Sequence, residues 1–290
     1  MEAAYTFSFL KEQNIPDLYD TFLAAFADYV VPIKMTREEF AIKFKREGVE
    51  PTFCAGVFHN HKLVGFILTG LGEWQGKPTA YNAGTGVLPA HRGNRLTQRL
   101  YEFLLPKLRE SGIEQCLLEV IDQNQVAIKA YEAVGFETTR TLDCFRSPKQ
   151  NLLLTGEEPK DITIRKTMRP NWEAYAEFCD IGPSWQNTKH AFRKSPDKKV
   201  TLEAYFEENL LVGYVAFFPK TGSIAQLGVL QNYRNIGVAT ALLREVVGQT
   251  EAPALMATNI DTTCRIMLEF FERSHFNRIL SQYEMLLRLY

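Results

Sequence analysis

Nowhere in this sequence do two cysteines stand at the close spacing of a metal knuckle or a redox motif. The five, Cys54, Cys116, Cys144, Cys179 and Cys264, are scattered singly and odd in number, which argues against a disulfide framework and for a reduced, cytoplasmic setting. The histidines His59, His61, His91, His190 and His275 lack metal-ligand spacing, so no metal site is expected. No apolar run approaches the ~18 residues of a membrane span, and no basic-then-apolar leader opens the chain, so a soluble protein is expected. Charge of one sign is missing too: 33 basic residues face 34 acidic ones, for a net charge of -1. No global field draws nucleic acid or anionic membrane, and any anion site must be local.

What is present is the material of a folded globular protein, with 46% hydrophobic residues, 20 Phe and 12 Tyr. At 290 residues, two domains are expected from roughly 100–200 residues per domain. Residues 10–28 carry a helical rhythm of Ile15, Leu18, Phe22, Leu23 and Phe26, and Thr36 with Glu39 forms a capping box for a second helix. Residues 53–58 and 63–71 read as strands joined by a polar turn, and Pro89 stops a third strand over 80–88. A helix over 96–111, a strand over 113–121, a helix over 124–134 and a closing strand over 136–145 complete an α/β unit with parallel pairing. Pro148, Gly156, Pro159 and clustered charges then break the pattern, so a linker at 148–160 is expected between domains of 1–147 and 161–290.

The second half repeats this order. A strand over 162–166, a helix over 171–179, a hairpin of 200–207 and 211–218 through Glu208-Asn209 and a strand over 224–230 lead to a helix over 238–247. A strand over 254–257, a helix over 263–273 and a strand near 281–289 follow. Gly86-Val87-Leu88 and Arg92 align without gaps on Gly228-Val229-Leu230 and Arg234, so the halves read as duplicates, each with its own core. In the second copy, Arg234-x-x-Gly237-x-Ala239 opens a helix directly after a strand. Small residues there let main-chain N–H groups approach an anion at the positive end of the helix dipole, and a pyrophosphate fits such a turn.

This motif resembles the signature of the GNAT superfamily, the GCN-five-related N-acetyltransferases, Arg/Gln-x-x-Gly-x-Gly/Ala after a strand. The first half adds Asn124, Ala127, Ala130 and Tyr131-Glu132-Ala133-Val134-Gly135-Phe136, similar to the family's Asn-x-x-Ala…Tyr-Glu-x-x-Gly-Phe segment. Each half also departs from the pattern. Arg95 and Thr97 stand where the family has Gly and Gly/Ala, so that loop must accept a side chain and a different backbone angle is in question. In the second half Phe271-Glu272-Arg273-Ser274-His275-Phe276 replaces the tyrosine segment, and Phe271 has no proton to give.

The resemblance implies two tandem domains, each a mixed central sheet with helices on both faces, and acetyl-CoA as co-substrate without a metal. In the first half it assigns coenzyme contacts to Val87, Leu88, Arg92, Gly93, Asn94, Arg95, Leu96, Thr97 and Asn124, with Arg92 and Arg95 toward phosphate. In the second it assigns them, as an alternative or in addition, to Val229, Arg234, Asn235, Ile236, Gly237, Val238 and Ala239. It implies direct attack of a primary amine on the thioester, with Tyr131 donating a proton to the departing thiolate, a form of help worth ~10²–10⁴-fold. Main-chain N–H groups near Val87 would polarise the thioester carbonyl. The first domain is thus expected to be catalytic and the second a degenerate copy. The reverse, with the second domain loading the coenzyme, is the nearest variant, because Gly237 and Ala239 fit the loop better.

Several readings stay open at this level. Asn124 serves equally as a plain helix N-cap. Glu119, Glu73 and a water chain are alternatives for the general base. Residues 28–32, Asp28-Tyr29-Val30-Val31-Pro32, occupy a region where the family places substrate contacts. Near-neutral charge favours a small-molecule amine over a polycation as acceptor, and its identity is not fixed. Non-catalytic acyl-CoA binding or sensing is the alternative function, because neither half carries every family feature; a structural module without the coenzyme is a third. A monomer and a homodimer are both compatible with a tandem repeat.

Overall fold

The computed structural model describes residues 5–29, 33–156, 159–207 and 209–290. By contact the chain forms two compact units, Met1–Arg140 together with Tyr283–Tyr290, and Thr141–Gln282.

In the first unit, β1 (Thr6–Phe9), α1 (Ile15–Ala25) and α2 (Arg37–Glu47) precede β2 (Ala55–His59), β3 (Lys62–Trp74) and β4 (Lys77–Val87). Then come α3 (Leu96–Glu110), β5 (Gln115–Ile121), α4 (Gln125–Glu132) and the start of β6 (Glu137–Pro148). The expected capping box is made: Thr36 Oγ1 accepts from the Glu39 N–H at 3.2 Å and Glu39 Oε2 accepts from the Thr36 N–H at 2.7 Å, an arrangement worth about 1 kcal/mol. The β2–β3 turn places Asn60 and His61 at φ 50° and 62°, the left-handed pair that a two-residue hairpin requires. Alternation puts neighbouring side chains of β3 on opposite faces. Phe66 stacks on Phe22 of α1 with ring centroids 5.8 Å apart, whereas Ile67 joins Leu100 and Leu104 of α3 in the other core. Helices therefore cover both faces.

The second unit repeats the plan with β7 (Ile162–Thr167), α5 (Trp172–Ala176), α6 (Lys189–Lys194), β8 (Val200–Phe206), β9 (Leu210–Phe218) and β10 (Ser223–Val229). After these come α7 (Val238–Gln249), β11 (Ala254–Asp261), α8 (Arg265–Arg273) and the start of β12 (Asn277–Arg288). Phe217 packs among Leu242, Leu243 and Val246 of α7, and its neighbour Phe218 meets Phe192 of α6 at 5.1 Å on the other face. Trp74 and Trp185 are buried, as large aromatics usually are.

The units do not follow the division read from the sequence at 148–160. Each closing strand is long enough to serve twice. The end of β6 pairs antiparallel with β11 of the second unit, Leu142 opposite Asp261 and Pro148 opposite Ala254. The end of β12 lies beside β5, where Met285 and Leu289 fill the core of the first unit and the Leu289 N–H donates to the Glu114 carbonyl at 2.9 Å. Duplicated sheets present equivalent edges to strands with the same alternation, so pattern alone does not say which sheet a closing strand completes.

Candidate active site

In both units the turn after the central strand has the same backbone. Gly93 and Arg95 lie at φ 81° and 54°, and their counterparts Asn235 and Gly237 at 63° and 95°. Arg95 thus keeps the left-handed angle of the glycine it replaces, at a cost of roughly 1–2 kcal/mol for a residue with a Cβ. Arg95 and Gly237 are N-caps with no side-chain acceptor. The N–H groups of Gly93 through Thr97, and of Asn235 through Ala239, donate to no main-chain carbonyl among the described residues. Each turn is a cluster of donors at a helix start, the geometry that favours a phosphate. Leu96 and Val238 are buried beneath these turns, and Arg95, Asn235 and Ile236 stand exposed on them.

The two motif arginines are tied to the segment ahead of the sheet, Arg92 with its side chain still 44% exposed and Arg234 with 16%. Arg92 donates to Asp28 at 2.6 and 2.8 Å, to the Ala25 carbonyl at 2.9 Å and to the Val87 carbonyl at 3.2 Å. Arg234 repeats this on Asp180 at 2.8 and 3.0 Å, the Phe178 carbonyl at 3.2 Å and the Val229 carbonyl at 2.9 Å. The hydrogen bond from Arg92 holds the Asp28 carboxyl below its ordinary range. Their side chains pin the end of the preceding helical segment to the strand, which leaves the main-chain N–H groups of the turns as neighbouring donors with no main-chain acceptor among the described residues.

Behind each turn a parallel strand pair parts. β4 pairs with β5 only from Thr79–Gln115 to Tyr81–Leu117, and β10 with β11 only at Ser223–Met256 and Ile224–Ala257. Register shifts leave Ala83 and Ala225 as extra residues on β4 and β10, at equivalent positions of the repeat. Such bulges bend a strand away from its neighbour.

The units differ in what lies in the gap. In the first, polar aromatics are hydrogen-bonded to β4 beside it. Asn82 donates to Thr85 Oγ1 and to the Tyr101 hydroxyl, both at 2.8 Å, and the Tyr131 phenol hydrogen-bonds Thr85 and Asn82. Tyr131 is 8% exposed, and burial pushes its pKa up to about 12. Asn124 caps α4, accepting from the Ala127 N–H at 3.1 Å, and hydrogen-bonds the hydroxyl of half-buried Tyr29. Of the expected substrate segment 28–32, Asp28 and Tyr29 therefore touch the motif residues, and residues 30–32 lie outside the described residues.

In the second unit Phe271 stacks on Phe145 at 5.7 Å and meets Phe276 at 5.0 Å. A cavity of about 640 Å³ runs between β10 and β11 and over the Arg234–Ala239 turn. Its inner wall is held by a chain of hydrogen bonds that sequence reasoning missed. Tyr214 donates to Gln226 at 2.7 Å, Gln226 to the Asn187 carbonyl at 2.5 Å, and Asn187 to the Thr258 carbonyl at 2.7 Å, with Cys179 Sγ 3.4 Å from the Tyr214 hydroxyl. No motif marks these residues; the only sequence signal is the alternation of polar Gln226 with apolar neighbours on a buried strand.

Of the two possible bases, Glu73 is exposed at the β3–β4 hairpin opposite Pro78, away from the gap. Glu119 is half-buried at the gap and accepts from the Tyr81 hydroxyl at 2.5 Å. Burial raises its pKa from 4.5 to about 8, against the Tyr81 hydrogen bond. The folded state therefore keeps a proton that the unfolded chain releases, and stability must fall as pH rises from 4.5 to about 8. Relative to Glu119→Gln, the wild type should lose on the order of a few kcal/mol across that window and nothing further above it. Urea midpoints at a series of pH values read this, and parallel profiles for the two proteins would refute it.

A model of the acetyltransferase (GNAT) family matches this chain twice, over residues 15–136 and 164–276. Among curated proteins, the N-alpha-acetyltransferase MAK3 of Arabidopsis thaliana is 29% identical over 92 residues, 32% of this chain and about half (48%) of that protein's length. Among solved structures, a tandem GNAT protein from the clavulanic acid biosynthesis pathway superposes with a TM-score of 0.72 at 13% identity, covering 99% of each chain. A GCN5-related N-acetyltransferase from Sphaerobacter thermophilus gives 0.74 at 19% identity, covering 98% of this chain and 96% of that one. With two matches to the family model and tandem architecture along its whole length, the chain belongs to the GNAT family of acetyltransferases as a two-domain member.

Proposed function

We propose that the protein is an acetyl-CoA-dependent N-acetyltransferase whose second unit holds the coenzyme. The observation that carries this reading is the cavity of about 640 Å³ between the parted strands β10 and β11, open over a turn of unpaired N–H groups. Asn235 to Ala239 would take the pyrophosphate, and the main chain around Val229 would lie along the pantetheine. The coenzyme supplies an activated acetyl thioester. The chain's own residues hold it: Arg234 fixes the turn to Asp180, and the Tyr214–Gln226–Asn187 chain keeps the gap open. The near-neutral charge supports a small primary amine as acceptor, reached by direct attack.

This reading reverses the expectation that the first half is catalytic. In the first unit Tyr101 and Tyr131 are tied by hydrogen bonds to Asn82 and Thr85 of the parted strand, and Tyr29 to Asn124. Glu119, with its raised pKa, and Tyr131 nevertheless support a second reading with transfer in that unit. Coenzyme A release from acetyl-CoA, measured against a panel of primary amines, tests both. On the first reading release depends on the amine and Tyr131→Phe changes kcat by less than about twofold. A loss of about a hundredfold or more, the scale of a lost general acid, would move transfer to the first unit. Binding of acetyl-CoA without release for any amine would favour the sensing alternative.

A further inference from the structure

The cavity of the second unit does not stop at the Gly237 turn. It continues along the groove between α7 and α8 to Phe270, Arg273 and Ser274, where Leu153, Thr155 and Gly156 close it. Both helices leave the C-terminal ends of parallel strands and run back along the sheet. Arg244 on α7 is about 9 Å along the helix axis from Val238, and Ser274 follows the last residue of α8.

The segment that closes the groove is tied down on both sides. Arg244 donates to the Leu154 carbonyl at 3.2 and 2.8 Å and to the Gly156 carbonyl at 2.6 Å. The Leu153 N–H donates to the Ser274 carbonyl at 3.2 Å. Leu152 and Leu154 pack on the core beneath, and Leu153 is left 42% exposed at the cavity. Among the described residues the first unit shows no such clasp at the equivalent place, where exposed Glu102 accepts from Gln98 instead.

We propose that this strap forms a subsite for the nucleoside 3′-phosphate end of the coenzyme, with Arg244 as its positioning residue; the inference rests on the coenzyme reading above. Connectivity decides the direction. With the pyrophosphate over the start of α7 and the thioester between β10 and β11, the nucleoside lies on the far side of the pyrophosphate, toward the α7–α8 groove. There Leu153, Met267 and Phe270 offer an apolar face to a purine, and Arg273 offers a cation at the rim to a phosphate. Arg244 touches none of this itself. It acts by fixing the carbonyls on either side of Thr155, so that the strap does not have to be ordered when the ligand binds.

The test separates the two ends of the coenzyme. Adenosine 3′,5′-bisphosphate, 4′-phosphopantetheine and acetyl-CoA are titrated into the wild type, Arg244→Ala and Leu153→Ala. Both variants should weaken the bisphosphate about tenfold, the effect of one or two lost hydrogen bonds or a trimmed apolar contact, and leave phosphopantetheine within about twofold. Equal affinity for the bisphosphate in all three proteins overturns the strap, and so does an equal loss of both fragments. If Arg244→Ala does not fold, Leu153→Ala, at a residue 42% exposed, carries the test alone. Failure of the wild type to bind acetyl-CoA at all defeats the coenzyme reading itself, a different result from either of these.

Discussion

Gly237→Val lowers the affinity for acetyl-CoA about a hundredfold, whereas Arg95→Val at the equivalent position leaves it within about twofold. Both positions are left-handed, at φ 95° and 54°, and a β-branched residue is a strained outlier at either angle. Forcing that turn costs on the order of 1–3 kcal/mol or moves the backbone. Moving it redirects the N–H groups of Asn235 to Ala239. Where those groups hold a pyrophosphate, a loss of about 2.7 kcal/mol in binding is about a hundredfold in Kd. In the first unit, where Tyr101 and Tyr131 are hydrogen-bonded to the parted strand, the same distortion lowers stability and spares binding on this reading. Titration calorimetry on both variants reads the difference, and the opposite pattern would assign the coenzyme to the first unit.

Arg140→Met destabilises the first unit by about 3–5 kcal/mol, the effect of stranding a buried carboxylate. Glu284 is 2% exposed and accepts from Thr139 Oγ1 at 3.0 Å, Arg140 Nε at 2.8 Å and Arg140 Nη2 at 2.5 Å. It arrives on the last strand of the chain, so the pair ties Tyr283–Tyr290 to the rest of the first unit, which otherwise ends at Arg140. Adding Glu284→Gln to Arg140→Met should recover most of the loss, because no buried charge is then left unpaired. Urea denaturation of the single and double variants measures the coupling. Equal stability of Arg140→Met and wild type would mean that the pair does not hold the strand.

The sequence made local features legible where one residue type answers one geometric demand. Thr36 with Glu39 read as a capping box and is one. The Gly-Val-Leu and Arg register exposed the duplication because two strand-turn-helix units need the same small and cationic residues in order. It also weighted the reading toward the first half. Tyr131 and Asn124 match the family segment better than Phe271 and Cys264 do, so the first half read as the working copy. Their surroundings, Tyr29, Asn82, Thr85 and Tyr101, lie on three other segments, and only folding shows that they meet there. The arginines carried a similar ambiguity. A guanidinium in a motif turn serves a phosphate or a carboxylate equally well, and Asp28 and Asp180, its partners, lie far back in the chain.

Two elements were missed for a different reason. β1 has only four residues and one half-buried face, below what alternation can distinguish from loop, and α6 is a single turn and a half behind the Thr188 cap. The exchange of closing strands was beyond pattern altogether, since register and pleat fit either sheet.

The coenzyme site proposed for the second unit is tested most directly by amide hydrogen exchange with and without saturating acetyl-CoA. Exchange should slow at the N–H groups of residues 235–240, which open α7 and have no main-chain acceptor, and stay unchanged at residues 93–98. Slowing at 93–98 with none at 235–240 would contradict the account and return the coenzyme to the first unit.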